Sequence, residues 1–182
     1  MLLLVAWTGD AAAGFWGLAL RYLKAPATLV GGAVSQALYP QLGRAGPDEA
    51  RQLVRRVMAL LAAVAAPLVL LLLVAGPDLF AFAFGEPWRG AGDLARALAV
   101  YIGVHFVASP LGVVTLAWRA QRWALQVAAA GQVVFLVSLA VGLQAGGLTG
   151  GAWAVSAGMA VYFGAYFVAL ARWKEVPDAA VA

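Results

Sequence analysis

Long apolar runs separated by short polar gaps dominate the chain. Val57 to Ala75, Ala97 to Trp118, Trp123 to Leu143 and Gly151 to Ala171 contain no charged residue. Each has about the ~20 residues that a helix needs to cross a ~30 Å hydrocarbon core. The pattern predicts an all-α, polytopic helical membrane protein, a single transmembrane domain over residues 1–182 with five full spans at about 12–39, 57–76, 97–118, 123–143 and 152–171. Gly43 to Asp48 closes the first, and Arg44 to Arg56 reads as an amphipathic lead-in to the second. Gly76-Pro77-Asp78 reads as a stop, because Gly and Pro break helices. Phe80 to Trp88 then reads as an interfacial turn with partial helix. The Arg119-Ala-Gln-Arg122 gap is so short that the spans around it must be antiparallel neighbours. Gln144 to Gly151 is a charge-free, glycine-rich turn. Met1 to Trp7 reads as the last turns of a helix whose beginning is missing.

Composition supports the membrane reading. A hydrophobic fraction of 64% and a mean hydropathy of +0.89 exceed what a water-soluble domain can cover with polar surface. Lys and Arg follow an alternating pattern. The gaps at 41–56, 119–122 and 172–182 hold four, two and two, whereas those at 77–96 and 144–151 hold two and none. Positive residues favour the cytoplasmic side, so this bias predicts a multi-pass protein with a cytoplasmic C-terminus. Trp16, Trp88, Trp118, Trp123 and Trp173 fall near the boundaries as interfacial anchors. The formal charge of +4 follows this topology and gives no nucleic-acid signal. Cysteine is absent, which removes disulfides, thiolate metal sites and Cys nucleophiles.

Two cations break the pattern. Arg21 and Lys24 are three residues apart and share a helix face. Counted inward from Ala12 at 1.5 Å per residue, they lie roughly 13 and 18 Å deep. Facing lipid, the pair would cost on the order of 6 kcal/mol; facing a hydrated cavity avoids most of that. Such a face suits an anionic ligand such as a pyrophosphate or acidic sugar, with snorkelling as the alternative. His105 sits mid-span, either a proton carrier or hydrogen-bonded to a neighbouring helix. Ser35, Gln36, Gln126, Gln132 and Ser138 are interhelical bonds or cavity lining. Ala154-Val-Ser156-Ala-Gly158 lacks the first glycine of a nucleophile elbow and reads as packing. No phosphate-binding loop, metal-ligand set or paired carboxylate appears, which leaves an ATP-driven or metal-dependent mechanism without support and predicts no cofactor and no metal.

Several segments together resemble a known family. Gly14-Phe-Trp-Gly-Leu-Ala-Leu-Arg21-Tyr-Leu-Lys-Ala-Pro26, then Ala33-Val-Ser-Gln-Ala-Leu-Tyr-Pro40, resemble the seventh-to-eighth-span region of Wzx-type polysaccharide flippases of the MATE/MOP exporter superfamily. Phe84-Gly85-Glu-Pro-Trp88-Arg-Gly-Ala91-Gly92 is similar to another motif of theirs, and Ser109-Pro110, the Trp118 to Arg122 loop and the glycine-rich turn follow in order. The resemblance implies two six-helix bundles around a cationic cavity, working by alternating access in the bacterial cytoplasmic (inner) membrane. It implies an undecaprenyl-pyrophosphate-linked oligosaccharide as substrate, for lipopolysaccharide or capsular polysaccharide, with Arg21 and Lys24 on its phosphate or acidic sugar and Ser35, Gln36 and His105 as weaker contacts. The chain would then be the C-terminal bundle, partnered by membrane lipids and by the missing N-terminal half of the same protein. A peptidoglycan-precursor flippase shares this cationic logic. A drug/cation antiporter would be expected to carry intramembrane carboxylates, which the predicted spans lack. A non-transporting scaffold of a glycan-assembly complex would tolerate loss of both cations.

Overall fold

The computed structural model describes residues 29–173, and within them every regular element is helical. Helix α1 covers 29–42, α2 is Pro47–Phe84 (38 residues), and one 3-10 turn, Glu86–Trp88, leads into α3, Arg89–Ala117 (29 residues). The last helix, α4, is Gln121–Ala171 (51 residues) and bends at Gly146 and Gly147, both of which leave helical backbone angles. Among the described residues three helices are long and apolar enough to cross a membrane: Pro47–Phe84, Glu86–Ala117 and Gln121–Ala171. The predicted spans at 57–76 and 97–118 coincide with stretches of α2 and α3, and those at 123–143 and 152–171 with the two arms of α4. Most of the predicted span at 12–39 lies outside the described residues.

The largest departure from expectation is α2. Pro47 at its first turn supplies a pre-set φ, and Asp48 and Glu49 complement the helix dipole. Beyond Val57 the helix does not stop at Gly76-Pro77-Asp78. It runs through Pro67 and Pro77 to Phe84 and ends where Gly85, at φ +96°, caps it by donating its N–H to the Ala81 carbonyl. A proline removes one backbone bond and leaves nearby carbonyls under-satisfied. Arg96 of α3 donates from Nη2 to the Val74 carbonyl at 3.2 Å, just before Pro77. In an apolar environment an interrupted helix has no water to bond with, so continuation with such side-chain help wins over a loop.

Helix α3 is the axis of the bundle. In its most apolar stretch 61% is buried, against 17% for α2 and 11% for α4. It packs antiparallel to α2 at backbone contact: a Cβ on Gly92 would lie 2.5 Å from the Pro77 Cα and 2.6 Å from the Gly76 oxygen. The two arms of α4 form an antiparallel hairpin. Gly142 meets Gly150 and Ala154, Ser138 meets Gly158, and Gly131 lies under the Tyr162 ring. Leu98, Tyr101 and Ile102 of α3 fill the space against Leu139, Leu143 and Val155 of this hairpin. Towards the other end, Leu38, Leu42, Val54, Val114, Trp118 and Leu170 form a second core.

The ends of the bundle differ in charge. Arg55 donates from Nε and Nη2 to the Ala171 carbonyl at 3.1 and 2.6 Å, so the start of α2 and the end of α4 lie together. Trp173 stacks on Trp118 there, with ring centroids 6.1 Å apart, and meets Trp123 edge to face at 4.8 Å. The three Arg-rich gaps of the sequence thus converge, and all described arginines except Arg89 and Arg96 belong to this end. At the opposite end Arg89 bridges Asp78 and Glu86 at 2.5 and 2.7 Å.

Candidate functional site: an aromatic and polar cleft

One face of α3 carries Tyr101, His105, Ser109, Gly112 and Thr115, a spacing of three and four residues that keeps them in a row. The α4 hairpin stands opposite, and the gap between them is a cleft rather than a sealed core. Two hollows of about 210 and 330 Å³ share His105, Ala128, Tyr162 and Phe163, so they adjoin along α3. The upper hollow adds Gln132 and Phe135; the lower adds Ser109, Thr115 and Tyr166.

Its aromatic side chains are held firmly. The Tyr162 hydroxyl donates to the Val127 carbonyl at 2.7 Å, bracing one hairpin arm against the other. Only a glycine fits beneath its ring, since a Cβ on Gly131 would sit 2.8 Å from the phenol carbon and oxygen. The His105 imidazole lies edge-on between Tyr101 and Phe163, at 5.7 and 6.1 Å. Tyr166 stacks on Trp123 at 5.8 Å and 14°, which ties the cleft to the tryptophan cluster at the basic end. Thr115 returns its hydroxyl to the Gly112 carbonyl at 2.8 Å. The result is flat aromatic surface alternating with hydroxyl, amide and imidazole groups. That combination accepts ligands with both C–H faces and hydroxyl rims.

The sequence-predicted site residues separate in the structure. Arg21 and Lys24 lie outside the described residues. Ser35 does not line the cleft; its hydroxyl donates to the Pro110 carbonyl at 3.1 Å and fastens α1 to α3. Gly31, one turn earlier, sits against Ser109, with a Cβ there 3.2 Å from the Ser109 oxygen. The α1 helix therefore backs onto the α3 turn that borders the cleft. Gln36 is exposed and takes no part, and Gln126 is likewise exposed. His105 and Gln132 are in the cleft. Sequence reasoning missed Tyr162 and Tyr166, although a buried phenol hydroxyl usually finds a hydrogen-bond partner.

A family model described as "Polysaccharide biosynthesis protein" matches residues 1–93, from the cationic Arg21 and Lys24 segment through α1 and α2 to the start of α3. No curated protein and no solved structure matches the chain significantly. With its membrane-length helices and the match over its first 93 residues, the chain belongs to the polysaccharide biosynthesis protein family.

Proposed function

We propose that the protein carries a lipid-linked oligosaccharide across the bacterial cytoplasmic membrane, as the C-terminal bundle of a Wzx-type flippase of the MATE/MOP superfamily. In this reading the chain has five spans, with the basic end and the C-terminus in the cytoplasm and the Arg89 end outside. The observation that carries it is the cleft of Tyr101, His105, Gln132, Tyr162 and Tyr166 inside an otherwise apolar bundle. Membrane helices meet lipid with apolar groups, so a row of polar and aromatic side chains marks a path for something hydroxylated. Family membership supplies the glycan, and the Arg21 and Lys24 face supplies charge for an undecaprenyl pyrophosphate. Transport by alternating access would have the bundle move against a second one.

The test is surface polysaccharide in cells lacking the endogenous protein and complemented with variants at equal membrane abundance. Arg21→Ala with Lys24→Ala is expected to reduce export at least tenfold, while Lys24→Arg retains most of it. Wild-type glycan levels in the double alanine variant would overturn the flippase reading and favour a scaffold.

A further inference from the structure

Four arginines stand in the gap at 41–56, and the structure uses them unequally. Arg51 bonds the Asp48 carboxylate at 3.0 Å and the Pro47 carbonyl at 3.1 Å. Arg55 gives its two bonds to the Ala171 carbonyl. Among the described residues the side chains of Arg44 and Arg56 make no ion pair or hydrogen bond. These two line the same hollow of about 400 Å³, a size within the roughly 300–1,000 Å³ of small-ligand sites. Arg44, in the turn after α1, borders it on one side. Glu49, Gln52, Leu53 and Arg56 border it on the other, spaced by three and four residues along one strip of α2.

The order of charges along that strip selects a ligand. Arg56 adjoins the charge-free run from Val57 to Ala75, so it stands where the apolar part of α2 begins. Glu49 lies seven residues earlier, about 10 Å further from that run at 1.5 Å per residue. Its carboxylate is also unpaired among the described residues. Guanidinium forks suit phosphate oxygens, but a bare phosphate would bring an anion towards Glu49. A phosphate next to the hydrocarbon with an ammonium beyond it satisfies both ends, and the Gln52 amide between them can donate to an ester oxygen. The same strip continues inward at four-residue steps through Leu60 and Val64, which are 68% and 62% exposed. That apolar bed below the polar hollow fits a lipid, whose tails continue where its head group ends, and not a water-soluble phosphate ester.

We propose that this hollow binds the head group of an aminophospholipid, with its phosphate between Arg44 and Arg56 and its ammonium at Glu49. The site is a contact of the basic rim with the surrounding membrane, separate from the aromatic cleft and from any transported molecule. It holds whether or not the protein exports glycan. Basic pockets beside membrane helices commonly take lipid head groups, and here the carboxylate adds a choice among them.

The experiment is native mass spectrometry of the purified full-length protein, titrated in detergent with phosphatidylethanolamine, phosphatidylcholine or phosphatidylglycerol of matched tails. Phosphatidylethanolamine is expected to reach at least fivefold higher occupancy than phosphatidylcholine, whose quaternary ammonium cannot donate to Glu49. Arg44→Gln with Arg56→Gln should lower its occupancy at least fivefold. Glu49→Gln should lower it several-fold while leaving phosphatidylglycerol binding unchanged or raised, a crossover that a general loss of structure does not produce. All three side chains are exposed, and thermal unfolding without lipid establishes that each variant is folded. Should the double glutamine variant fail to fold, the Glu49→Gln crossover decides alone. Equal occupancy by the three lipids, or undiminished phosphatidylethanolamine binding in the double variant, would overturn the proposal. Displacement of the lipid by an equal concentration of phosphoethanolamine would also overturn it, in favour of a soluble ligand.

Discussion

Single hydroxyls fasten this bundle, and each contributes little. Ser156 is fully buried; its Oγ donates to the Ala97 carbonyl at 2.5 Å and receives the Tyr101 N–H at 3.4 Å. Interhelical polar contacts in membranes are worth about 0.6 kcal/mol on average and rarely exceed about 1.7. Ser156→Ala is therefore expected to lower stability by roughly 0.5–1.5 kcal/mol without changing the fold, measured by reversible unfolding in mixed micelles. Ser156→Leu should cost more than the alanine variant, because it forces extra volume into a filled site. The sequence permitted this reading, since Ser156 stands among small residues in an apolar span and lacks the setting of a nucleophile. The cleft was harder to see. His105 stood out because imidazole is rare in such a run, whereas Tyr162 and Tyr166 are counted with the hydrophobic residues of the composition. The roles of the two become visible only when the hairpin brings the Val127 carbonyl to the Tyr162 hydroxyl and the Trp123 ring to the Tyr166 ring.

Helix α2 ends where the backbone changes hand, at Gly85, and the breaker residues inside it do not end it. Gly76-Pro77-Asp78 looked like a stop, yet α2 passes through it and closes at Gly85, whose φ is +96°. A signal learned from water-soluble loops fails here because lipid offers no hydrogen bonds to a broken helix. The glycines around Gly76 act in packing instead. Gly92→Val should push α2 away from α3 at a cost of about 1–3 kcal/mol, the usual range for overpacking. Loss of a disulfide formed between cysteines placed at 73 and 96 in that background would report the separation. The turn from Gln144 to Gly151 was legible as a glycine-rich connection, but its bend is confined to Gly146 and Gly147. Gly147 has φ +57°, so Gly147→Ala is expected to destabilise the hairpin by roughly 1–2 kcal/mol, read as a lower midpoint of unfolding.

For the molecule as a whole, charge segregation along the sequence reappears as segregation in space. The gaps at 41–56, 119–122 and 172–173 meet at one end, held by Arg55 and the tryptophan cluster. Hydropathy and arginine spacing were sufficient to anticipate which gaps belong together, because lipid imposes a near one-dimensional order on helices. They could not give the lateral arrangement, in which α3 becomes the axis, since that depends on glycine contacts and not on hydropathy. The proposed orientation makes a direct prediction. A cysteine at Ala120 should react with a membrane-impermeant maleimide only after the cells are opened, and one at Gln144 should react in intact cells. The opposite pattern would invert the topology.

The bond between Arg55 and the Ala171 carbonyl also has a temporal side. Its partners are 116 residues apart in the chain. At about 5–20 residues per second of synthesis, Arg55 leaves the ribosome roughly 6 to 23 s before its acceptor does. Leu170, fully buried in the same core as Val54, arrives equally late. Throughout that interval the first turns of α2 must be sheltered by lipid head groups or by the insertion machinery. Closure of this end of the bundle therefore waits for the emergence of the second arm of α4.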